Sequence, residues 1–486
     1  LFQYERDTHQ GPLFGEGSGH FFWAGLVDGV EAQVDGGEDC PPLLDFDLLK
    51  LHPQMVNHGM GYYTRWLRMG DNTHWGVNAP TPAQLDKYRA MTLAYGHAGF
   101  VGEPCVHVPH LVWREHNLVS PIQALYGAAK AKEILYEVDG KLVTSSAAVP
   151  CGTLDRVRVT YDSGLVLHVN FREADWQVGE HLLPQYGFLA QAPNLLAYTA
   201  KRDGVIVDCA EDAETLFADA RTNVYRPWEQ GLVAIEPKLK AFTDLGDGSF
   251  EIAYEWAIEQ ELDQDYTVFV HFVHSVHNDG TEREGISFQN DHILKPPTSA
   301  WKKGSVVADG PHRVTVPADQ AAAAYDIVAG LYRKDGPRVA LRGTDAGSRR
   351  ILIGRLAVER EGGRVKGVKL LPIDDVRERH LAQRRAFDER MNAAGRAVYF
   401  GKVHTDGSFK LYKQKGKLTI LPYPRDRDFA IELDLAALAP GRSTLKVEAL
   451  DVEGKLLGEV QHEVRHHLLS FRAGRPGAAR FEVRLR

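Results

Sequence analysis

The chain has 486 residues, of which 44% are hydrophobic and 25% charged, and this length and composition are typical of a globular protein with several domains. Its net charge of −8 and the lack of a basic stripe exclude a typical nucleic-acid-binding protein. No apolar run approaches the roughly 18 residues of a transmembrane helix, so we expect no membrane span.

The N-terminal stretch is unusual because residues that can carry chemistry occur there among glycines. Residues 8–29, THQGPLFGEGSGHFFWAGLVDG, contain His9, Glu16 and His20 beside a Phe-Phe-Trp cluster. Residues 41–66, PPLLDFDLLKLHPQMVNHGMGYYTRW, have the pattern of a strand or loop followed by a helix. Strand and helix patterns that alternate in this way indicate an α/β layer.

Two helices are predicted in the rest of this segment. TPAQLDKYRAMTLAYG, from Thr81 to Gly96, begins with a capping threonine and a proline at the first helical position. SPIQALYGAAKAKEIL, from Ser120 to Leu135, begins with a similar signal. The apolar HAGFVGEP between them predicts a strand, so we expect residues 1–136 to form several β/α units.

The pattern changes after residue 136, where apolar and polar residues alternate. Residues 155–171, DRVRVTYDSGLVLHVNF, alternate with a period of two around an Asp-Ser-Gly turn, which predicts a hairpin. Similar runs continue to the end of the sequence, with one polar helix predicted over residues 374–394.

The predicted fold is multidomain, a partial (β/α) barrel at the N-terminus followed by three all-β, sandwich-like domains. The predicted domains are residues 1–136, the C-terminal part of a (β/α)8-type catalytic barrel; 137–236, a β-sandwich domain packed on the barrel; 237–360, a β-sandwich module; and 361–486, a C-terminal β-rich module.

The clearest strand is YTVFVHFVH, residues 266–274, because it is apolar on both faces. Such a strand is typical of the centre of a sheet, here an antiparallel sandwich over residues 238–359. Alternation places Val268, Val270 and Phe272 on one face and Phe269, His271 and Val273 on the other. The side chains expected in or near the core are Trp256, Phe269 and Val273.

Several stretches resemble the back half of a carbohydrate-active enzyme. They include TLAYGHAGFVG (92–102), VTYDSGLVLHVN (159–170) and LLPQYGFLA (182–190). YTVFVHFVH, GISFQNDHILKPPTSAWKKG and YDIVAGLYR are similar to β-sandwich modules appended to glycosidases. Over residues 1 to about 350 the chain thus resembles the large glycoside hydrolases related to endo-α-N-acetylgalactosaminidases.

The resemblance implies that residues 1–136 are the last three or four units of a barrel. A complete (β/α)8 barrel needs roughly 200 residues or more. We therefore expect that something outside this sequence covers the strand that carries Leu13 and Phe14. It would be an upstream segment, a second polypeptide or the same segment of a second copy, and it would be rich in β/α units.

Glu16 is the first candidate for catalysis. Glycoside hydrolysis requires two carboxyl groups that flank the bond, and barrel enzymes place them at the C-terminal ends of strands. Glu16 follows the apolar Pro-Leu-Phe and lies between two glycines, and nearby aromatic rings would keep a carboxyl group protonated as the acid. The structural alternative is an ion pair with a local arginine such as Arg6.

Asp45 and Asp47 are the candidates for a second catalytic carboxylate. Alternation in LLDFDLL puts both on one strand face beside apolar neighbours. The alternative is a capping aspartate at a strand-to-helix junction. Asp28, in LVDG, is weaker because it is a typical turn residue. In relatives the nucleophile would lie in an earlier barrel strand, so its presence in this chain stays open.

The candidates for substrate binding share a position beside glycines or aromatic residues, where imidazole and hydroxyl groups can bond sugar hydroxyls. They are His9, His20, Trp23, His58, Tyr62 and His97. The alternative for the histidines is a buried ring with satisfied hydrogen bonds. We expect one pocket to contain Glu16, His20, Trp23, Asp47 and His97.

No metal or other cofactor is predicted. His271, His274, His277, Asp279, Asp291 and His292 form a cluster in the sequence. His271 and His274 are three residues apart and point to opposite faces of a strand, which argues against convergence on one ion. The four cysteines show no CxxC spacing and are expected to be isolated buried thiols, while a Cys40–Cys105 pair stays open for an exported protein.

The predicted function is that of a glycoside-hydrolase-like protein, which cleaves glycosidic bonds in a poly- or oligosaccharide by carboxylate acid/base catalysis. Two alternatives stay open, a non-catalytic carbohydrate-binding or scaffold protein built of β-sandwich modules, and a polysaccharide lyase. The expected partners are a carbohydrate substrate and the front half of the barrel. The sequence leaves the compartment open, including export.

Overall fold

The structure is a computed structural model. It describes residues 2–15, 26–32, 54–60, 82–101, 109–221, 232–274, 286–334, 338–346, 349–375, 396–425 and 427–486. Its contacts divide the chain into two compact units, the first within residues 1–68, 80–224 and 387–486 and the second within residues 69–79 and 225–386. The predicted boundaries near residues 136, 236 and 360 stay predictions.

Taken together, the described residues contain more strand than helix, although helices predominate up to residue 126. The α-helices are α1 (Phe2–His9), α2 (Pro82–Tyr95), α3 (Pro109–Tyr126), α4 (Ser145–Ala148) and α5 (Leu435–Leu438), and 3-10 turns lie at Val149–Cys151 and Thr298–Ala300. The strands up to residue 221 are β1 (Phe14–Gly15), β2 (Gly29–Ala32), β3 (Gln54–Met60), β4 (Ala98–Val101), β5 (Ala131–Val138), β6 (Lys141–Val143), β7 (Arg156–Tyr161), β8 (Val166–Asn170), β9 (Trp176–Val178), β10 (His181–Leu183), β11 (Phe188–Ala192), β12 (Leu195–Arg202), β13 (Val205–Asp212) and β14 (Thr215–Asp219).

The second unit contains the next ten strands among its described residues. They are β15 (Ile235–Gly246), β16 (Ser249–Ile258), β17 (Thr267–Val273), β18 (Ile286–Gln289), β19 (His292–Ile293), β20 (Ser305–Thr315), β21 (Ala324–Tyr332), β22 (Thr344–Asp345), β23 (Ile351–Glu361) and β24 (Arg364–Leu370). The last strands return to the first unit. They are β25 (Val398–Tyr399), β26 (Val403–Thr405), β27 (Ser408–Gln414), β28 (Lys417–Pro422), β29 (Ala430–Asp434), β30 (Thr444–Leu450), β31 (Leu456–Glu459), β32 (His462–Arg465), β33 (Leu468–Arg472) and β34 (Arg480–Leu485).

The N-terminal segment forms a small parallel sheet with the strand order β1-β2-β3-β4. All three pairings are parallel, and each strand pairs with the next one along the chain. Parallel neighbours need a crossover connection, and α2 lies in the connection from β3 to β4. Among the described residues, β1 pairs only with β2.

The sequence locates α2 well and α3 poorly. The helix predicted from Thr81 to Gly96 is confirmed as α2, but the start predicted at Ser120 is wrong, because α3 runs from Pro109 to Tyr126 with Pro121 inside it. The predicted end is wrong as well, since residues 131–138 form β5. Ile134 and Tyr136 in that strand are buried at a spacing of two, which fits a strand and not a helix.

Most strands of the first unit belong to one antiparallel sheet of 15 described strands. The predicted hairpin is confirmed as β7 and β8, with Gly164 in the turn at a φ of 84°. β14 pairs with β27, which connects the strands before residue 221 with those after residue 396. A second sheet of the unit has the order β25-β26-β29-β33-β32.

The large sheet is buried on both faces in its middle. Leu93 of α2 and Ile122 of α3 pack with Ala197 of β12 on one face. Tyr198, the next residue of β12, packs on the other face with side chains of the five-stranded sheet such as Leu433. Within the first unit, the large sheet is therefore the middle layer between α2 and α3 on one face and the five-stranded sheet on the other.

The second unit is an antiparallel sandwich, as predicted. One sheet has the order β15-β16-β20, and the other has the order β18-β17-β21-β23-β22 with β19 on β17 and β24 on β23. Trp256 from the first sheet and Val268 from the second share one core. β17 has strand neighbours on both sides, Phe269 is buried, and Val273 is half-buried.

The structure tests three further expectations, each only over the described residues. The polar helix predicted over residues 374–394 lies almost wholly outside the described residues. Cys209 is a buried free thiol as expected, but Cys151 is exposed, and Cys40 and Cys105 lie outside the described residues. Across the described helices, none combines the length and apolarity that a bilayer crossing requires.

Candidate functional site

The carboxyl edge of the parallel sheet is the first candidate site. The strands run in the same direction, so the ends of β1 at Gly15, β3 at Met60 and β4 at Val101 lie toward one edge. Glu16 directly follows the carboxyl end of β1 in the sequence, and it lies outside the described residues. Loops at this edge of a parallel sheet carry catalytic and binding residues in α/β enzymes.

Two other polar residues follow strand ends at the same edge. Tyr62 is separated from the end of β3 by one glycine, and Glu103 from the end of β4 by one glycine. Sequence analysis did not select Glu103. The sequence does contain a signal for Glu103, because GFVGEP has the same order of apolar residues, glycine and glutamate as PLFGEG around Glu16.

Most of the predicted site residues lie outside the described residues. These are Glu16, Asp45, Asp47, His20, Trp23 and Tyr62. His58 lies in β3, two residues before its end, where the backbone is described and the side chain is not. The structure therefore places three of the predicted residues, His58 by its backbone and His9 and His97 in full.

His9 lies on the surface of α1. Its Nε2 atom is 3.1 Å from the carboxylate of Glu5, one helical turn earlier, and 72% of its side chain is exposed. An exposed pair at this spacing contributes a few tenths of a kcal/mol to helix stability. Its helix precedes β1 and so lies on the amino side of the strand that leads to Glu16.

Arg6, the residue proposed as a structural partner for Glu16, has other partners. Its Nη2 atom donates to the carboxylate of Asp28 at 3.3 Å and to the carbonyl oxygen of Leu26 at 3.1 Å. Asp28 also accepts a hydrogen bond from the backbone N–H of Leu13 at 2.8 Å. Asp28 thus connects α1 to the start of β1, which is a structural role.

His97 lies at the amino end of β4. It is 1% exposed, and its ring centroid is 5.3 Å from that of Tyr95. The hydroxyl of Tyr126 donates to the carbonyl oxygen of His97 at 2.7 Å, which connects α3 to this point. This end of β4 lies at the amino edge of the parallel sheet, opposite the carboxyl end of β1 at Gly15, so the position favours a packing role over sugar binding.

A buried network of charged residues connects α2 and α3 to the large sheet. Arg89 of α2 donates to both carboxylate oxygens of Glu115 of α3, at 2.8 Å and 2.5 Å, and to Asp86 at 2.9 Å. It also donates to the hydroxyl of Thr199 on β12 at 3.1 Å. Burial lowers the pKa of Arg89, but the charges of Glu115 and Asp86 outweigh it, so the pKa rises and the guanidinium stays charged.

Arg221 completes this network from the end of β14. It donates two hydrogen bonds to Asp86, at 2.8 Å and 2.9 Å, and two to Asp208 of β13 at the same two distances. All three side chains are 0% exposed. Burial raises the pKa of Asp208, but Arg221 and then Arg89 outweigh it and lower that pKa.

The network has a structural role, because its members cannot meet a substrate. Asp86, Arg89, Asp208 and Arg221 are at most 1% exposed, and their charges are paired within the protein. Asp219 lies at its edge, where burial and the negative charge of Asp208 raise its pKa to about 6. The network fixes α2 and α3, and hence the parallel sheet beside them, on the large sheet.

The second unit contains a cluster that the sequence analysis missed. Asp309 of β20 accepts from His292 Nε2 at 2.9 Å, from His312 Nε2 at 2.7 Å and from Trp256 Nε1 at 3.1 Å. Burial lowers the pKa of His292, but its hydrogen bond to Asp309 outweighs that effect and raises the pKa. Burial raises the pKa of Asp309, yet its hydrogen-bond donors hold that pKa well below its usual range.

The other members of the predicted histidine cluster do not join this group. His271 is buried beside Asp291, with Nε2 3.4 Å from the carboxylate, whereas His274 is exposed. They do not form a common group, as their spacing predicted. His277 and Asp279 lie outside the described residues.

No protein-family model and no curated protein matches the chain. The resemblance to glycoside hydrolases therefore stays a prediction.

Proposed function

We propose that the chain is a glycoside-hydrolase-type polypeptide that cleaves a poly- or oligosaccharide at the carboxyl edge of its parallel sheet. The observation that carries the proposal is the order β1-β2-β3-β4, in which each parallel strand pairs with the next one in sequence. A (β/α)8 barrel has this order throughout. The antiparallel sheets that follow support only the β-rich part of the expected architecture.

Glu16 is the proposed general acid. It follows β1 at the catalytic edge, and the adjacent Gly15 and Gly17 leave room for a substrate to approach the backbone. The alternative pairing with Arg6 is weakened, because Asp28 and the Leu26 carbonyl already accept hydrogen bonds from that guanidinium.

Three carboxylates are candidates for the partner of Glu16. Asp45 and Asp47 lie in the connection between β2 and β3, and Glu103 follows β4. A retaining enzyme needs the two carboxyl groups about 5–5.5 Å apart, and an inverting enzyme needs about 6.5–9.5 Å to admit a water molecule. In either case one group protonates the leaving oxygen while the other acts on the anomeric carbon or on water.

A further part of the proposal is that another β/α segment pairs with the second edge of β1. In the described part of the chain that edge has no strand partner, and Phe14 is 45% exposed. An open edge of a parallel sheet is an aggregation hazard that proteins normally cover. The covering segment would also supply the catalytic nucleophile if none of the three carboxylates serves.

The test is Glu16→Gln in the full chain, assayed with a panel of alkyl glycosides and oligosaccharides, whose leaving groups need protonation, and by calorimetric titration with the cleaved sugar. Removing the proton donor should lower turnover by about 100-fold or more and leave the sugar affinity unchanged. Glu5→Gln is the matched control, because this glutamate lies on the exposed surface of α1 and should change neither value.

The alternatives give different results in the same experiments. Sugar binding without hydrolysis of any glycoside, unchanged in Glu16→Gln, would favour a carbohydrate-binding module and contradict the proposal. Release of an unsaturated sugar, seen as new ultraviolet absorbance, would identify a lyase. Equal hydrolysis by Glu16→Gln and wild type would exclude Glu16 as the acid.

A further inference from the structure

The cluster of His292, Asp309 and His312 depends on an irregularity in β20. The register pairs Tyr254 with Asp309 and Ile252 with His312, so two residue steps along β16 correspond to three residue steps along β20. Residues three apart on a regular strand point to opposite faces. The bulge at Gly310 and Pro311 returns Asp309 and His312 to the same face.

Gly310 makes this bulge possible. Its φ is +103°, a value that residues with a side chain rarely adopt. A Cβ atom at this position would lie 2.9 Å from Cδ2 of His312 and 3.1 Å from the carbonyl oxygen of Ile252. The backbone thus allows the His312 ring to lie directly against position 310.

His292 reaches the cluster from the other sheet of the sandwich. It lies in β19, which pairs with β17, and its ring centroid is 4.0 Å from that of His312. The Tyr254 ring stacks on both imidazoles, with centroids 6.1 Å from His292 and 5.7 Å from His312. Both sheets therefore contribute to one polar group inside an otherwise apolar core.

We propose that His292, Asp309 and His312 bind a divalent transition-metal ion of the Zn²⁺ type. Their possible ligand atoms all lie within 4.8 Å of one another. In a zinc site each ligand atom is about 2.0–2.2 Å from the ion, which puts neighbouring ligand atoms roughly 3–3.5 Å apart. The Nε2-to-carboxylate distances of 2.7–3.0 Å thus need only a small outward movement to admit the ion.

The hydrogen bonds around the cluster orient the ligand atoms as in a metal site. The Nδ1 atom of His292 lies 2.8 Å from the carbonyl oxygen of Asn290 and must donate to it, which directs Nε2 toward the carboxylate. Trp256 Nε1–H donates to the Oδ2 atom of Asp309. Metal-binding histidines and carboxylates typically have such outer partners.

The Nε2 atom of His292 faces the Asp309 carboxylate, so without a metal a proton on Nε2 makes the hydrogen bond between them. A divalent ion can replace this proton and the one His312 directs at Asp309, so binding releases protons. Two imidazoles with one carboxylate suit zinc and its neighbours, whereas calcium and magnesium prefer oxygen ligands alone.

The site is partly open to solvent. The side chain of Asp309 is 3% exposed, that of His292 14% and that of His312 24%. The ion could enter beside His312 and keep a water molecule as a fourth ligand. The inference concerns the second unit alone and does not depend on the proposed glycosidase activity.

The test is zinc binding by the full chain, purified without a polyhistidine tag and stripped with a chelator. Calorimetric titration with Zn²⁺ and elemental analysis after dialysis should give about one ion per chain at this site, and Co²⁺ in its place should give visible absorption bands. His312→Ala should weaken Zn²⁺ binding by more than about 100-fold, and Trp256→Phe by about 10–100-fold through loss of the outer hydrogen bond.

His274→Ala is the matched control, because this histidine is exposed in the same sandwich and should leave the affinity unchanged. His312→Gln provides a second variant, checked by circular dichroism, in case His312→Ala does not fold. No uptake of Zn²⁺ by the stripped wild type would overturn the proposal. Uptake that survives unchanged in the folded His312 variant would also overturn it, since the ion would then bind elsewhere.

Discussion

The two units contain buried charges of contrasting kinds. In the first unit, Arg89 and Arg221 pair with carboxylates that are almost wholly inaccessible to solvent. In the second unit, Asp309 is bonded by two histidines, one of them about a quarter exposed. Arginine keeps its charge at every physiological pH, whereas histidine can exchange a proton for a metal ion.

The two clusters can therefore do different things. The permanent charges of Arg89 and Arg221 are paired with buried carboxylates, which suits a fixed junction between α2, α3 and the large sheet. Because these groups are already engaged with one another, they are not available to a ligand. Partly accessible imidazoles beside a buried carboxylate suit a site that changes its occupant. The following substitutions test whether the first cluster is structural and the second adaptable.

Arg221→Met should have the largest effect on stability. It removes the guanidinium that bonds Asp86 and Asp208 and leaves two buried carboxylates with too little positive charge. Breaking a buried pair in this way costs about 3–5 kcal/mol. Urea denaturation followed by fluorescence would measure the loss, and a change below about 1 kcal/mol would contradict a structural role for the network.

Arg472→Met is the control for that substitution. Its Nε atom is 2.9 Å from Asp428, yet the two side chains are 59% and 56% exposed. Exposed pairs contribute about 0–1 kcal/mol. The same denaturation experiment should therefore show little change, and equal losses in the two variants would mean that burial does not distinguish them.

Gly310→Ala should have the next largest effect, at about 2–3 kcal/mol, because it combines backbone strain with a collision against His312. The substitution should also weaken Zn²⁺ binding, since the displaced imidazole can no longer converge with Asp309. Gly304→Ala separates the two causes, because Gly304 also has a positive φ of 82° but a Cβ there would meet nothing within 4 Å. Unchanged Zn²⁺ affinity in Gly310→Ala would argue against a metal site in the bulge.

Asp219→Asn should have a smaller effect on stability than Gly310→Ala, and this effect should depend on pH. The pKa of Asp219 is about 6 in the folded chain and near 3.9 in an unfolded one. Below about pH 4 the carboxyl group is protonated in both states, so its ionisation does not change the free energy of unfolding. Between about pH 4 and 6 the unfolded state loses this proton before the folded state does, so stability falls as pH rises.

The asparagine variant should therefore be more stable than wild type above pH 6, by about 1–2 kcal/mol, because the amide stays neutral but still has to be buried. The difference should shrink toward pH 4. Thermal unfolding of both chains across this range measures it. A variant that is less stable than wild type at pH 7 would show that the charged form of Asp219 is favoured by the network.

The alternation of apolar and polar residues along the sequence was enough to predict strands with one apolar face and strands with two. The hairpin of β7 and β8 and the central position of β17 follow from alternation over short distances. The end of α2 was found because Gly96 marks it. In these cases the local pattern and the tertiary environment favour the same structure.

The predictions failed where tertiary packing outweighed a local signal. Pro121 reads as a helix start, but residues 109–120 continue the same helix, so its position there is internal. Asp309 and His312 were not selected from the sequence, because residues three apart on a regular strand lie on opposite faces and only the bulge at Gly310 brings them together. Arg221 and Asp86 are 135 residues apart, and no local pattern pairs them.

The most direct test of the proposed function is the dependence of Glu16→Gln on the leaving group of its substrate. A general acid matters most when the leaving oxygen is a poor leaving group, because it must be protonated as the bond breaks. The variant should hydrolyse a dinitrophenyl glycoside at nearly the wild-type initial rate but lose about 100-fold or more with an alkyl glycoside. An equal loss with both substrates, or none with either, would contradict the assignment of Glu16 as the acid at the edge of the parallel sheet.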